Sequence, residues 1–210
     1  SGSPTEVQPV FDIIAERAVN LCCAEIGVVS RSDGQLMQLA AICGLTQEGT
    51  DAVRRAFPMP LSEEAATARS ARNRAVVHIQ DVLADPHYQH KHTARVARFR
   101  CVLAVPMIRE GQVIGVIFVG RAEPGQFGHK QVELLKTFAD QAVIAIEYVR
   151  LFNEIQERTR ELEQSLEEVR ALGEVSRAVS SSLDFGQVLT TIAEHAAKLC
   201  EADAGFINEY

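Results

Sequence analysis

Apolar residues follow a helical spacing at the start of the chain. Between Glu6 and Cys23 they recur three and four positions apart, as at Val10, Ile14 and Leu21, which predicts an amphipathic helix. The pattern then changes to short apolar runs separated by turn residues, which is typical of strands and short helices. These elements are two strands at 24–30 and 35–42, two helices at 46–57 and 62–72 split by Pro58-Met59-Pro60, and a strand at 75–79.

Two longer strands are predicted at 101–109 and 113–120, joined by the turn residues Glu110-Gly111. Nearly every position in both strands is apolar, so both faces of their sheet must be covered. Together the elements predict an α/β fold of the α+β kind. It has a five-stranded antiparallel sheet with helices packed on one face and a loop-rich layer over the other, followed by a long coiled-coil helix.

That long helix begins near His129, and its apolar positions step by three and four. Beyond position 152 the flanking residues are mostly Glu, Arg and Gln, so only a partner helix would cover the apolar seam. We therefore expect a parallel homodimer. After the seam, two successive steps of three beside Gly173 indicate a stammer in the heptad register. The seam consists of Phe152, Ile155, Thr159, Leu162, Leu166 and Val169.

An internal repeat divides the chain into parts. Nine residues between positions 10 and 27 recur identically, in one register, within 188–205. We predict a complete domain at 5–150 and a coiled-coil signalling helix at 151–183. Residues 184–210 would then be the first helix and strand of a second, similar domain, with Asp184 as its N-cap. This interpretation makes the chain a fragment of a longer protein.

Composition excludes several classes of function. A net charge of -7 without a dense Lys/Arg block disfavours nucleic acid as a partner. Because no apolar stretch is long enough to span a bilayer and no leader pattern is present, we expect a cytoplasmic segment without membrane contact. The five cysteines show no C-x-x-C spacing, which favours reduced thiols over zinc or disulfides. The sequence has no nucleophile elbow, phosphate-binding loop or paired carboxylates that would indicate an enzyme.

Several segments resemble GAF domains. The similar runs are CVLAVPMIREGQVIGVI at 101–117, PGQF at 124–127, LKTFADQAVIAIE at 135–147, VHIQDV at 77–82 and DPHY at 85–88. In addition, LFNEIQERTREL at 151–162 resembles the helical linker that connects GAF domains of bacterial sensors to a histidine kinase or a nucleotide cyclase. The resemblance implies a GAF-like sheet and a sensory role, but it names no ligand.

The chemistry of the GAF subfamilies narrows the choice of ligand. Bilin-binding members carry a cysteine in the covering layer, and 81–99 contains none, so no covalent bilin is expected. The Asn-Lys-Phe-Asp-Glu set of cyclic-GMP-binding members cannot be traced here. His87, His90 and His92 could ligate a metal or haem, or lie on a solvated polar segment, and the nearby arginines could bind an anion. We predict no metal site, and the cofactor stays unknown.

Any ligand should be small, non-covalent and bound between the sheet and the layer from about Phe57 to Phe99. This layer has few periodic apolar residues, and loops on a rigid sheet are common sites of recognition. The candidate ligand-binding residues are His78, Tyr88, His90, Arg95, Arg100 and Cys101.

The resemblance and the seam together predict a sensory or regulatory module of a bacterial signal-transduction protein. A small molecule or a neighbouring domain would bias the helices, and the paired helix would relay that bias to an output domain in the same chain. The preferred output is the histidine kinase of a two-component system, and the alternative is a nucleotide cyclase. Two other functions remain open: a purely structural dimerisation module without a ligand, and a redox sensor acting through Cys43 or Cys101.

Overall fold

Helices and strands account for most of the computed structural model, which describes residues 4–182 and 185–199. The strands are β1 (Ile26–Ser32), β2 (Leu36–Cys43), β3 (Met59–Pro60), β4 (Val77–Ile79), β5 (Cys101–Arg109) and β6 (Gln112–Arg121). The helices are α1 (Pro4–Cys22), α2 (Gln47–Arg55), α3 (Ala66–Asn73), α4 (Lys91–Val96), α5 (His129–Ser182) and α6 (Phe185–Leu199). The chain divides into two compact units, Ser1–Glu154 and Ile155–Tyr210, and the first contains these six strands.

One antiparallel sheet joins the strands in the order β3-β2-β1-β6-β5-β4. The predicted fold class is confirmed, although the sheet has six strands instead of the expected five. The additional strand is β3, which pairs Met59 and Pro60 with Met37 and Leu36 of β2. The sequence predicted only an interruption between two helices there, because of its prolines. However, β3 is an edge strand, where a missing backbone donor is tolerated.

Each face of the sheet packs against its own hydrophobic core. Every residue of β5 from Cys101 to Met107 is buried, and successive side chains point to opposite faces. Leu103 and Val105 belong to the core beneath α1 and α5, which we call the helix-side core. Val102 and Ala104 belong to the core under α2, α3 and α4, which we call the layer-side core. The prediction that both faces are covered is therefore confirmed.

Turn residues and one close approach fix how the strands pair. The first hairpin is held by Asp33, whose Oδ1 accepts hydrogen bonds from the backbone N–H groups of Gln35 and Leu36. The second hairpin turns at Glu110 and Gly111, where φ is 50° and 77°, the left-handed geometry that two-residue hairpins favour. Gly115 of β6 lies so close to β1 that a Cβ there would be 2.3 Å from the Ser30 carbonyl oxygen.

Helix α5 is continuous over its 54 residues, including the predicted stammer beside Gly173. The large apolar side chains of the seam are all exposed in the single chain, from 49% at Phe152 to 65% at Ile155 and Leu162. Thr159 is exposed as well. Thus no group within this chain covers the seam among the described residues.

Helix α6 falls where the repeat predicts the first helix of a second domain. The predicted N-cap Asp184 and the strand expected after Leu199 lie outside the described residues. None of the helices in 4–182 and 185–199 has an apolar stretch suited to crossing a membrane.

Candidate functional site

A cavity of about 40 Å³ lies between the sheet and the layer formed by α2, α3 and α4. Its walls are mainly apolar and aromatic, with Phe57, Phe99 and Phe118 among them. The rings of Phe99 and Phe118 meet edge to face, with centroids 5.4 Å apart. The sequence pattern places these rings here because Phe118 points to the layer-side face of β6 while its neighbours point to the other face.

The floor of the cavity is built on the two central strands. Val28 of β1 and Phe118 of β6 are cross-strand partners, and both line the cavity. The next pair along the ladder, Val29 and Ile117, points to the opposite face and belongs to the helix-side core. One backbone layer therefore separates the cavity from the residues that contact α1 and α5.

The segment that closes the cavity is fixed by ion pairs. Arg69 of α3 donates to Asp85 at 2.6 Å and to Glu64 at 2.8 Å. Burial is the largest single influence and would raise the pKa of Asp85, but the hydrogen bonds from Arg69 and the His87 backbone N–H, together with the nearby positive charge, hold the pKa below its usual range. His90 Nε2 contacts the carboxylate of Glu63. These contacts hold the segment that carries His90 over the cavity.

Beside this cavity lies a larger chamber of about 370 Å³ between α2 and α4. His90 and Thr93 line both spaces, so the two adjoin. The outer chamber also contains charged and titratable side chains, Glu48, Arg55 and His92. We refer to the two spaces as the inner cavity and the outer chamber.

Only two of the six predicted ligand-binding residues, Tyr88 and His90, line the inner cavity. The other four lie elsewhere in the structure. Arg100 is engaged at the sheet edge, where its Nε donates to Asp81 at 3.1 Å. Arg95 is exposed on α4 and does not line the cavity.

The other two predicted residues, His78 and Cys101, lie on the opposite face of the sheet. His78 pairs with Leu103 in the β4–β5 ladder, and Leu103 and Cys101 both belong to the helix-side core. Cys101 Sγ is 3.7 Å from His78 Nε2. However, the backbone N–H of Phe127 donates to the same nitrogen at 3.2 Å, so the imidazole is already occupied as an acceptor. This arrangement therefore holds the loop before α5 and does not activate the thiol.

Thiol chemistry is disfavoured by burial. Desolvation raises the pKa of Cys43 and Cys101, and it raises the pKa of Cys22 to about 11. Reactive cysteines need a lowered pKa, because the thiolate is the reacting form. The redox alternative through Cys43 or Cys101 thus gains no support from these sites.

We expect His78 to make the fold less stable as the pH falls from about 7.5 to 5. Burial, and then the charge of Arg121, lower the pKa of His78 below the ordinary value of 6.5. The unfolded chain therefore takes up this proton at a higher pH than the native protein does. The stabilisation is complete above the unfolded pKa and is lost as the pH falls through the lowered native pKa.

Urea unfolding at both pH values would measure this loss. His78→Gln should show a smaller difference in unfolding free energy between the two pH values than the wild type. The matched control is His87→Gln, because His87 is exposed and its replacement should leave the difference unchanged. Equal pH dependence in the wild type and His78→Gln would show that His78 contributes nothing.

Most of the cavity residues were missed by the sequence reasoning. Val53, Met59 and Thr67 line the inner cavity, and none of them was named as a ligand-binding residue, although Met59 and Thr67 lie within the predicted covering layer. The alternation of side chains along a strand could have identified the cavity floor. Because Val29 and Ile117 face the helices, the residues next to them on the central strands face the layer. Among the described residues, no group of three or more His, Cys, Asp and Glu side chains could hold a metal ion.

The first unit thus combines an antiparallel sheet, two helices on one face, and a cavity-containing layer of short helices on the other. The chain belongs to the GAF domain family, whose sequence model matches residues 4–147. This membership gives the chain a sensory or regulatory role in signalling.

Solved structures show the same fold. The chain is similar to the GAF domain/HD domain protein of Geobacter sulfurreducens, with 20% identity, a TM-score of 0.59, and coverage of 70% of this chain and 96% of that one. It is also similar to the GAF domain of a phosphoenolpyruvate-protein phosphotransferase of Coxiella burnetii, with 15% identity, a TM-score of 0.60, and coverage of 71% and 87%.

A third similar structure is a domain assigned to a two-component sensor histidine kinase protein of Sinorhizobium meliloti 1021. It shares 14% identity with a TM-score of 0.55, over 69% of this chain and 92% of that one. At these identities the likenesses show the fold alone. Among curated proteins, none matches the chain significantly.

Proposed function

We propose that the chain is the sensory part of a dimeric, cytoplasmic bacterial signalling protein. A small molecule binds in the inner cavity and biases the packing of α1 and α5, and α5 carries that bias to an output domain in the same chain. The observation that carries the proposal is the shared floor: β1 and β6 form a wall of the cavity and also part of the core beneath α5.

The thin floor supplies a physical route for coupling. Val28 and Val29 are adjacent on β1, and they point to the cavity and to the helix-side core respectively. A ligand that displaces Val28 must therefore move the backbone that positions Val29. Interiors are close-packed, so this movement changes the packing of the buried α5 residues Leu135 and Ala139. The bias needed is small, since allosteric coupling is typically about 1–3 kcal/mol.

A second contact ties the far end of β5 to α5. Arg109 of β5 donates to the carboxylate of Glu147, which also lies 3.4 Å from Arg150. Burial is the largest single influence and would raise the pKa of Glu147, but the hydrogen bonds and the charges of Arg109 and Arg150 together lower it. This carboxylate is therefore charged at neutral pH. Because Glu147 lies on α5, a shift of β5 would pull on the helix through this ion pair.

The nature of the output domain is supported by two resemblances. The segment 151–162 is similar to linkers that precede histidine kinases or cyclases. One of the similar folds comes from a protein assigned as a two-component sensor histidine kinase. We therefore propose a histidine kinase as the output, with α5 of two chains paired along the exposed seam.

Screening small metabolites by NMR against the isotope-labelled chain would test sensing. We expect a binder to shift the signals of cavity residues such as Val28 and Phe118 and also those of Leu135 across the sheet. The variant Ala56→Met should abolish binding, because Ala56 lines both the inner cavity and the outer chamber and the larger side chain would fill the opening. Ala84→Met is the matched control and should leave binding unchanged, since Ala84 is exposed and lines neither space.

Two results would contradict the proposal. Binders that never shift the cavity residues would place sensing elsewhere. Binding that shifts Val28 but leaves Leu135 unchanged would remove the proposed route to α5.

A further inference from the structure

The inner cavity is too small for a ring. A cavity that binds benzene measures roughly 150 Å³, and one water needs roughly 10–15 Å³ on the same kind of scale. The 40 Å³ of the inner cavity therefore admits about three or four non-hydrogen atoms. Whatever enters it is either a very small molecule or the small end of a larger one.

Two hydroxyl groups on buried residues line this space. Thr67 is 6% exposed and Tyr88 is 5% exposed, and both line the cavity. No hydrogen bond joins either hydroxyl to a described residue, and neither oxygen is among the fully buried side-chain atoms that lack a partner. Both oxygens are therefore accessible, and a ligand that covers them must supply a hydrogen bond, because a hydroxyl cut off from water is unfavourable without one. The two groups thus provide polar recognition on a wall whose other residues, apart from His90 and Thr93, are apolar.

No free charge faces the inner cavity. Its lining contains no Lys, Arg, Asp or Glu, and the imidazole of His90 is paired with Glu63. Burial raises the pKa of Tyr88, so its hydroxyl remains a neutral donor at physiological pH. A carboxylate or ammonium group in this space would lose its hydration without gaining an opposite charge. The lining thus selects against charged groups.

The outer chamber provides room for the rest of a ligand. Its volume of about 370 Å³ lies within the range of small-molecule sites, and His90 and Thr93 join it to the inner cavity. Glu48 and Arg55 on its walls can contact polar groups that the inner cavity would reject.

We propose that the inner cavity recognises a small uncharged hydrogen-bonding group, such as a primary amide, an alcohol or a ketone, through the hydroxyls of Thr67 and Tyr88. The larger polar part of the same ligand lies in the outer chamber. This inference rests on the proposed function, since it names the ligand chemistry of the same site.

Acetamide and acetate form a matched pair of probes, because they have the same shape and differ in charge. We expect acetamide to shift the NMR signals of the Thr67 methyl group and the Tyr88 ring saturably, at millimolar concentrations. Acetate should bind at least tenfold more weakly. Thr67→Val and Tyr88→Phe preserve shape and remove one hydroxyl each, and each should weaken acetamide binding at least fivefold.

Thr137→Val is the control for the hydroxyl change, because Thr137 is exposed on α5. It should leave acetamide binding unchanged. Acetate binding as tightly as acetamide would overturn the charge selection, while the cavity would still be a binding site. Unchanged acetamide binding in both hydroxyl variants, with dispersed native spectra, would overturn the assignment of Thr67 and Tyr88. If neither probe shifts any cavity signal while the metabolite screen yields cavity binders, only this inference fails, and if that screen also fails, so does the proposed function.

Discussion

Replacing Leu162 and Leu166 with Asp should convert the proposed dimer to a monomer. The two side chains are 65% and 58% exposed in the single chain, and the parallel pairing would bury four of them per dimer. At about 1.5–3 kcal/mol for each buried Leu, their loss removes roughly 6–12 kcal/mol. A micromolar dimer is held by about 8 kcal/mol, so the variant should not associate at micromolar concentrations. Sedimentation velocity would measure the change.

The control for this variant is Gln156→Asp with Gln164→Asp, which adds the same charge to exposed positions outside the seam. This control should remain dimeric. A wild-type chain that sediments as a monomer at tens of micromolar would refute the paired-helix interpretation. A dimeric Leu162/Leu166 variant would place the dimer contact elsewhere.

Phe127→Ala should lower the free energy of unfolding by about 3–5 kcal/mol. The ring is 2% exposed in the helix-side core, and the guanidinium of Arg121 lies 4.2 Å from its centroid. The imidazole of His78 also packs against it edge to face. Because α5 begins two residues later at His129, the ring anchors the start of that helix. The expected loss is a large fraction of the roughly 5–15 kcal/mol that stabilises a typical domain.

Urea unfolding at pH 7 and constant protein concentration would test this effect. Tyr148→Ala is the control, since Tyr148 is an aromatic residue of α5 that is 70% exposed. Its replacement should change the unfolding free energy by less than about 1 kcal/mol. Equal losses in the two variants would show that burial of Phe127 is not the source of its effect.

The fold was predictable where a residue pattern allows one solution. The spacing of Val10, Ile14 and Leu21 requires a helix, and α1 covers it. Likewise, Glu110 and Gly111 can adopt the left-handed turn that closes the second hairpin. The strand β3 was not predictable, because its two residues are held by pairing with a distant part of the chain, which local sequence does not encode.

The candidate site was less predictable because it depends on which face a side chain points to. Cys101 was placed on the ligand side because β5 is apolar on both faces, so polarity cannot tell its two faces apart. His78 alternates with Val77 and Ile79, which pack against the layer-side core, so its side chain points to the other face. Tyr88 and His90 do line the cavity, since the layer has only the sheet to cover. Arg100 was assigned to a ligand, but its guanidinium donates a hydrogen bond to the carboxylate of Asp81.

Strand β6, like β5, is apolar on both faces, and this changes what sets its register with β1 during folding. In most antiparallel sheets a slip of one residue moves apolar side chains into water, and that penalty selects the correct pairing. Here such a slip would only exchange one core for the other, so polarity gives little discrimination. The size of the side chains must therefore distinguish the correct register from a slipped one. At Gly115 a Cβ would lie 2.3 Å from the Ser30 carbonyl oxygen, so a slip that brings Val116 to this position is blocked by steric overlap. Gly115 thus fixes the register of β6 with β1, which the hydrophobic pattern alone does not determine.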